Sequence, residues 1–402
     1  MIKVTIVYPA DPIGVIPGGI DTCIRDVIRS APDDFEYSLL GATTDPVERP
    51  VKKWTTCYLG DKKFNFYPLY AIDNPEVQPK IPATFKHLIP LFLKKPKHDF
   101  DVLQFHRIEP VLPYLKSSAP KFTFIHQNMA VVESKQSDIR WKYIPGLYFK
   151  MEDWLIKKFN AVYCVHQSGV DRYKKRYPEI AQNFDFLPTW MNPDVFYPAS
   201  DQQRQQIRNE LVSKYDIDPD SKILLAVGRI DRQKNPQRLV TAVNDVLSRG
   251  EDVHLLIIGD GVLRKEAEEL ICRFNLSNKI TITGLLPNDV VGKYLRGSDI
   301  LVLASDYEGM PRCVVESLGC GVPVATTDVG EVKKVVIPGV NGQIASDFTS
   351  EAFADALVDC ICNLESYKGD PCCDAVLEYT PVKVLSKVYA SYRTALENKS
   401  IC

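Results

Sequence analysis

The stretch ITITGLLPNDVVGKYLRGSDILVLASDYEGMPRCVVESLGCGVPVATT, residues 280–327, decides the fold. Three short apolar runs, 280–283, 300–303 and 324–326, are rich in β-branched residues, and stretches of helical spacing separate them. Strand and helix in alternation predict a parallel sheet covered on both faces. The same pattern extends back through apolar runs at 255–258 and 223–227.

Further toward the start, strand-like runs stand at 3–9, 37–40, 102–106, 122–126 and 161–166. Ile20, Ile24, Val27 and Ile28 repeat at helical spacing between the first two. The segment LPTWMNPDVFYP, 187–198, carries three prolines and reads as a crossing between domains. After Pro381, the residues Val382, Leu385, Val388, Tyr389, Tyr392 and Leu396 predict a final amphipathic helix. The expectation is α/β with two doubly wound, Rossmann-like domains: residues 1–190, residues 191–375, and a closing helix 376–402.

A chain of 402 residues suits two such domains. Hydrophobic residues at 45% and charged residues at 25% fit an ordinary globular protein, and a net charge of −2 gives no global attraction to nucleic acid. The start MIKVTIVYPA reads as a first strand rather than a secretory signal, so a cytoplasmic location is expected. The eleven cysteines, Cys23, Cys57, Cys164, Cys272, Cys313 and Cys320 among them, are expected to be reduced core residues. Cys360/Cys362 and Cys372/Cys373 lack the spacing of a metal site.

In an open parallel sheet, ligands meet the loops at the carboxyl ends of strands. One such loop is SDYEGMP, followed by a predicted helix that carries a second acid, Glu316. Gly309 lets a ligand approach the backbone, and Pro311 suits a first helical turn whose N–H groups would face an anion. Glu308 could accept hydroxyls; a helix start with solvated acids is the plain alternative. A second loop, GRIDRQKNP (228–236), offers Arg229 and Lys234 as cations for a diphosphate, or is a solvated turn. Gly259-Asp260-Gly261 matches no phosphate-binding pattern and reads as a plain turn. Gly18 and Gly19 precede the first helix, and His106 and His126 each end a strand, where a histidine is more often structural.

Together these stretches resemble the retaining glycosyltransferases of family 4, which have the GT-B fold. The match is carried by E-x7-E as Glu308…Glu316, with GRIDRQKNP, IIGDGVLRKEAEEL, ITITGLLPNDVVGKYLRGSDILVLAS and VNGQI in the family's order, over residues 220–345. The resemblance implies a GT-B pair of domains facing across a cleft. It implies that Glu316 binds the ribose and Glu308 the donor sugar, while Gly309, Met310 and Pro311 cradle sugar and distal phosphate. Arg229 and Lys234 would hold the diphosphate, and Thr283 to Leu285 would meet the base. Gly18 and Gly19 would close over the phosphates, and His126 would sit near the reacting carbon. Gln127 departs from the acid that often follows that histidine, and Thr-Trp-Met-Asn-Pro-Asp departs from the usual domain crossing.

The implied reaction moves a hexose from a nucleotide-sugar, GDP-mannose or a UDP-hexose, to a glycan or lipid-linked acceptor in polysaccharide or glycoconjugate assembly. No metal or other cofactor is expected: the acid-x-acid triplets Asp99-Phe-Asp101, Asp216-Ile-Asp218 and Asp218-Pro-Asp220 are discounted, since converging oxygen ligands are needed. The basic stretch FKHLIPLFLKKPK (85–97), with Lys52/Lys53 and Lys62/Lys63, suggests peripheral contact with an anionic membrane face, or a solvated helix. A GT-B nucleotide-sugar epimerase and a non-catalytic nucleotide-sugar-binding protein are the competing readings.

Overall fold

The computed structural model describes residues 1–14, 19–72, 83–126 and 145–401. Its contacts divide the chain into two units: Met1–Pro188 with Pro381–Cys402, and Thr189–Thr380.

The first unit is built on an eight-stranded sheet. Its strands are β1 (Ile2–Val7), β2 (Phe35–Thr43), β3 (Thr55–Leu59), β4 (Lys62–Ala71), β5 (Val102–Phe105), β6 (Lys121–Ile125), β7 (Ala161–Cys164) and β8 (Phe184–Phe186). They lie in the order β3-β4-β2-β1-β5-β6-β7-β8, and all neighbours are parallel except β3 with β4. β5 and β6 are buried along their whole length, as a strand covered on both faces must be. The β3–β4 hairpin was not expected. Its strands mix Thr, Lys, Asn and Tyr with apolar residues, and its turn uses Gly60 at φ 62°.

The helix Pro381–Ile401 belongs to this unit. Leu385, Val388, Tyr389 and Tyr392 are buried, whereas Val382, expected on the same face, is 68% exposed. The helix is fastened by Tyr389 Oη donating to Val27 O at 2.7 Å and by Arg393 Nη2 to Asp34 Oδ1 at 2.8 Å.

The second unit is built on a six-stranded, all-parallel sheet. Its strands are β9 (Lys222–Val227), β10 (Val253–Ile258), β11 (Ile280–Gly284), β12 (Ile300–Leu303), β13 (Val324–Thr326) and β14 (Gly342–Ile344). The order β11-β10-β9-β12-β13-β14 runs outward in both directions from the middle, so the winding reverses between β9 and β12. In the first sheet the reversal falls between β1 and β5. Such reversals leave a crevice at the carboxyl ends of the two strands, the usual ligand site of doubly wound sheets. Leu224, Leu255, Ile257, Ile300 and Val302 form the core with Val240, Val243 and Phe353 from flanking helices.

The cysteines of the described residues are free. Most are buried, but Cys272 lies at the surface, a correction to its expected core place. No helix of the described residues is long and apolar enough to cross a membrane.

Candidate functional site

The reversal in the second sheet brings together the two loops singled out in the sequence. The loop after β9 leads into the helix Pro236–Ser248, and the loop after β12 into the helix Arg312–Gly319. Asn235 caps the first helix in the left-handed region, φ 46°, its side chain accepting from Arg238 N at 2.9 Å. Pro311 stands one position before the second helix, as its N-cap, rather than within its first turn. The loops are joined: Asp306 N donates to Gln233 O at 2.8 Å, and Asn235 Nδ2 to Asp306 Oδ1 at 3.1 Å.

Lys234 and Glu308 meet at the centre. Lys234 Nζ lies 2.8 Å from Glu308 Oε1, which also accepts from Ser305 Oγ at 2.8 Å. Glu308 Oε2 accepts from Gln233 Nε2 at 3.1 Å. Both side chains are largely shielded, with 24% and 9% exposure. Burial alone would push the Lys234 ammonium down; the Glu308 carboxylate outweighs it and holds the group above the usual lysine range. The lysine lies across Gly228, φ 151°, where a Cβ would stand 2.8 Å from Lys234 Cε. The glycine thus makes room for the charge.

Arg229 is placed differently. Its side chain is 74% exposed, and Nη2 pairs with Asp231 Oδ2 at 3.2 Å. Asp231 is buried and uses its other oxygen to accept from Lys234 N at 3.1 Å. One acid therefore folds the loop while its neighbours on either side carry the cations.

Glu316 is buried in the helix Arg312–Gly319, with Arg312 Nε 3.4 Å from its Oε1. Gly309 O accepts from Glu331 N at 2.8 Å, and Met310 O from Thr189 Oγ1 at 2.8 Å. These bonds fix the turn that holds Gly309, Met310 and Pro311. Gly259-Asp260-Gly261 is a packing turn: Cβ atoms on Gly259 and Gly261 would lie 1.8 Å from Gly228 O and 2.4 Å from Ile230 O. Thr283 is the penultimate residue of the outer strand β11, its Oγ1 donating to Gly284 O at 3.0 Å, and Leu285 is 56% exposed.

Sequence reasoning missed Gln233 and Ser305, both inside the quoted motifs, and Arg238. Arg238 is buried and donates to Phe348 O at 2.7 Å and Ala304 O at 2.8 Å, while pairing with Asp306 Oδ1 at 2.7 Å. It rivets the helix after β9 to the end of β12. An arginine two residues after a helix-opening proline was the available signal.

In the first unit, Gly18 lies outside the described residues, as does Gln127. Gly19 opens the helix Gly19–Arg29, exposed. His126, at the end of β6, does not stand alone: its Nε2 is 2.9 Å from Nδ1 of His106, at the end of β5. Burial holds His106 well below the usual histidine range, and the neighbouring His126 adds to this. Donor atoms of Cys23, His106 and His126 lie within 4.8 Å of one another; among the described residues, the acid-x-acid triplets enter no such set. Asp101 instead accepts from Lys3 N at 2.8 Å, and Asp216 caps a helix at φ 52°.

Residues 207–368 match the family model described as "Glycosyl transferases group 1". The alpha-D-kanosaminyltransferase of Streptomyces kanamyceticus is 28% identical over 50% of this chain and 51% of its own length. The N-acetylgalactosamine-N,N'-diacetylbacillosaminyl-diphospho-undecaprenol 4-alpha-N-acetylgalactosaminyltransferase of Campylobacter jejuni is 32% identical over 37% of this chain and 38% of its own. The matches thus span about half, or less, of these curated relatives. The fold is that of GT-B glycosyltransferases: the sucrose-phosphate synthase of Thermosynechococcus elongatus aligns with a TM-score of 0.79 at 18% identity, covering 99% of this chain and 100% of that one.

Proposed function

We propose that this chain is a glycosyltransferase of family 4, moving a hexose from GDP-mannose or a UDP-hexose to a hydroxyl of a glycan or lipid-linked acceptor, with retention and without a metal, in polysaccharide or glycoconjugate assembly. One observation carries the reading. The loops at the reversal of the second sheet are the ones bearing Lys234 and Glu308 in contact, with Glu316 in the helix that follows. The match to group 1 glycosyl transferases covers the same unit.

The chemistry follows from that contact. As the anomeric C–O bond breaks, negative charge builds on the departing diphosphate. Lys234 is a shielded cation available to it, and Glu308 is its partner in the structure. A donor's phosphate oxygens exchange for Glu308 as the partner of the ammonium, which frees the carboxylate to accept hydroxyls of the sugar. Arg229 reaches the same phosphates from the surface by leaving Asp231. The N–H groups at the start of the helix Arg312–Gly319 add their dipole, and Glu316 takes the ribose. Thr283 and Leu285 would border the base, and Gly18 and Gly19 the phosphates. With cations in this role, transfer should survive chelation of divalent metal. For an alpha-linked nucleotide-sugar donor, the alpha transfer in both relatives' names corresponds to retention. The leaving phosphate would take the acceptor's proton on the same face, with His126 near the reacting carbon.

Lipid-linked acceptors fit the helix Ala83–Leu93, where Ile89, Phe92 and Leu93 are exposed at 52%, 60% and 81%. Lys94 and Lys97 follow, both exposed, whereas Lys95 donates to Pro113 O. Lysines at an anionic surface contribute about 1 kcal/mol each. Lys62 belongs elsewhere, paired with Asp33 at 2.5 Å.

Calorimetric binding of UDP-, GDP- and ADP-sugars, followed by assays of donor consumption, tests the reading. Glu316→Ala and Arg229→Ala are each expected to lose donor binding. Affinity unchanged in both variants rejects the assignment.

A further inference from the structure

We propose that His106 is a positioning residue: it fixes the tautomer and ring plane of His126 through a buried hydrogen-bond line that begins at Tyr392 on the C-terminal helix. The importance of this for transfer rests on the reading above that His126 serves the reaction; the line itself does not.

The line can be followed atom by atom. Gln104, fully buried on β5, accepts from Tyr392 Oη at 3.0 Å through Oε1. That turns its amide nitrogen to His106, whose Nε2 lies 2.9 Å from Gln104 Nε2. The amide nitrogen is only a donor, so His106 Nε2 must be the acceptor and carries no hydrogen. A neutral imidazole holds one N–H, so the proton of His106 sits on Nδ1 and is donated to His126 Nε2, 2.9 Å away. His126 in its neutral form then carries its own proton on Nδ1.

The reverse direction would require Gln104 to turn over. Its amide nitrogen would donate to Tyr392, and the Tyr392 hydroxyl hydrogen would be left buried with no acceptor among the described residues. An unpaired buried donor is the costlier state. Packing then holds the planes. The two imidazoles are 11° from parallel with centroids 5.2 Å apart, Phe124 stacks on His106 at 4.9 Å, and Tyr8 meets it edge-on at 5.7 Å. His106 is 2% exposed and stays neutral, so the line keeps its direction across the ordinary pH range. A triad-type site shows what such a fixed tautomer is worth to a catalytic histidine.

The test is nitrogen-15 NMR on the full chain with labelled histidine, reading which ring nitrogens are protonated. His126→Gln and His106→Phe identify the signals among the six histidines. The expected result is a bare Nε2 on both His106 and His126 at neutral pH. In Tyr392→Phe, which keeps the ring in the core, Gln104 is free to turn and both nitrogens of each imidazole become partly protonated. A protonated Nε2 on His126 in the native chain overturns the proposal, as does a tautomer unchanged by Tyr392→Phe. Titration with Co2+ supplies an independent check. A stoichiometric thiolate-to-metal absorption lost in Cys23→Ser would mean that the cluster is a metal site, and would equally overturn it. Donor hydrolysis of UDP-glucose and GDP-mannose completes the test. In His106→Phe, kcat is expected to fall about tenfold or more with KM unchanged; an unchanged kcat removes the positioning role. If neither donor is consumed by the native chain, the proposed function fails while the NMR result still decides the line.

Discussion

The carboxyl ends of the two sheets are furnished in opposite ways. At the second, charges are paired across neighbouring loops: Lys234 with Glu308, and Arg229 with Asp231. At the first, uncharged Tyr392 and Gln104 and a neutral, buried His106 form a line that ends at the half-buried His126. Paired loop charges can exchange partners when a polyanion arrives. A buried neutral line cannot exchange without leaving a donor or acceptor unsatisfied, so it holds geometry instead. On the proposed reading, the second sheet binds the charge of the donor and the first fixes orientation.

The largest break in this contrast should come from Lys234→Met. If the lysine is there to meet developing charge, donor turnover falls on the order of 100- to 1,000-fold, about 3–4 kcal/mol, and the urea midpoint also falls, because the shielded Glu308 keeps only Ser305 and Gln233 as partners. A variant that unfolds early and keeps its turnover would show that the pair with Glu308 is a structural bridge.

Acid should separate the units next. Burial pushes His87 of the first unit down to about 3, and burial, with Lys279 nearby, pushes His254 of the second down to about 4. Both lie below the usual value near 6.5. Such groups stay neutral when folded and are protonated when unfolded, so their stability contribution is complete above about pH 6.5 and is lost as pH falls toward 4 and then 3. His254 retains Thr281 Oγ1 at 3.0 Å, whereas neither ring nitrogen of His87 has a partner among the described residues. Between pH 6.5 and 4 each should remove about 2–3 kcal/mol, at about 1.4 kcal/mol per unit. Urea titrations across that range check this: His87→Phe and His254→Phe should each flatten the fall. Equal curves for native and variant chains would place the acid sensitivity elsewhere.

A smaller effect sharpens the buried side. Tyr392→Phe removes one hydroxyl and leaves Gln104 Oε1 without its donor, for an expected loss of about 1–3 kcal/mol in chemical denaturation. Ser305→Ala, which takes one of several partners from the shielded but loop-borne Glu308, should cost less than Tyr392→Phe. The reverse order would contradict the distinction drawn between the sheets.

What the sequence made legible divides along the same line. The runs that became β9, β10 and β12 are continuous and apolar because both faces are covered, and the motif residues Lys234, Glu308 and Glu316 sit in two short loops. The hairpin β3–β4 escaped because Lys, Asn and Tyr interrupt its apolar residues. β8 (Phe-Asp-Phe) and β14 (Gly-Gln-Ile) are short and interrupted by polar residues or glycine, whereas the equally short β13 (Val-Ala-Thr) has no charged residue, amide or glycine and could be read. The pairing of His106 with His126 spans 20 residues across adjacent strands, and that of Gln104 with Tyr392 spans 288. No local spacing encodes such contacts; topology makes them. The outward setting of Arg229 was hidden for a related reason, since it depends on how Asp231 folds the loop.

The smallest expected effect concerns Gly19, whose role in the first unit is inferred by resemblance. It opens the helix Gly19–Arg29, and a Cβ there would meet nothing within 4 Å. Packing therefore does not demand glycine, unlike Gly228 with Lys234 across it. Alanine in a helix is favoured over glycine by about 0.5–1 kcal/mol, and somewhat less at an end, so Gly19→Ala should leave the urea midpoint equal or slightly higher. If donor phosphates approach this backbone, the added methyl should raise KM for the donor a few-fold in the same variant. A more stable protein with unchanged KM would remove Gly19 from the donor site and leave donor recognition to the charged loops of the second sheet.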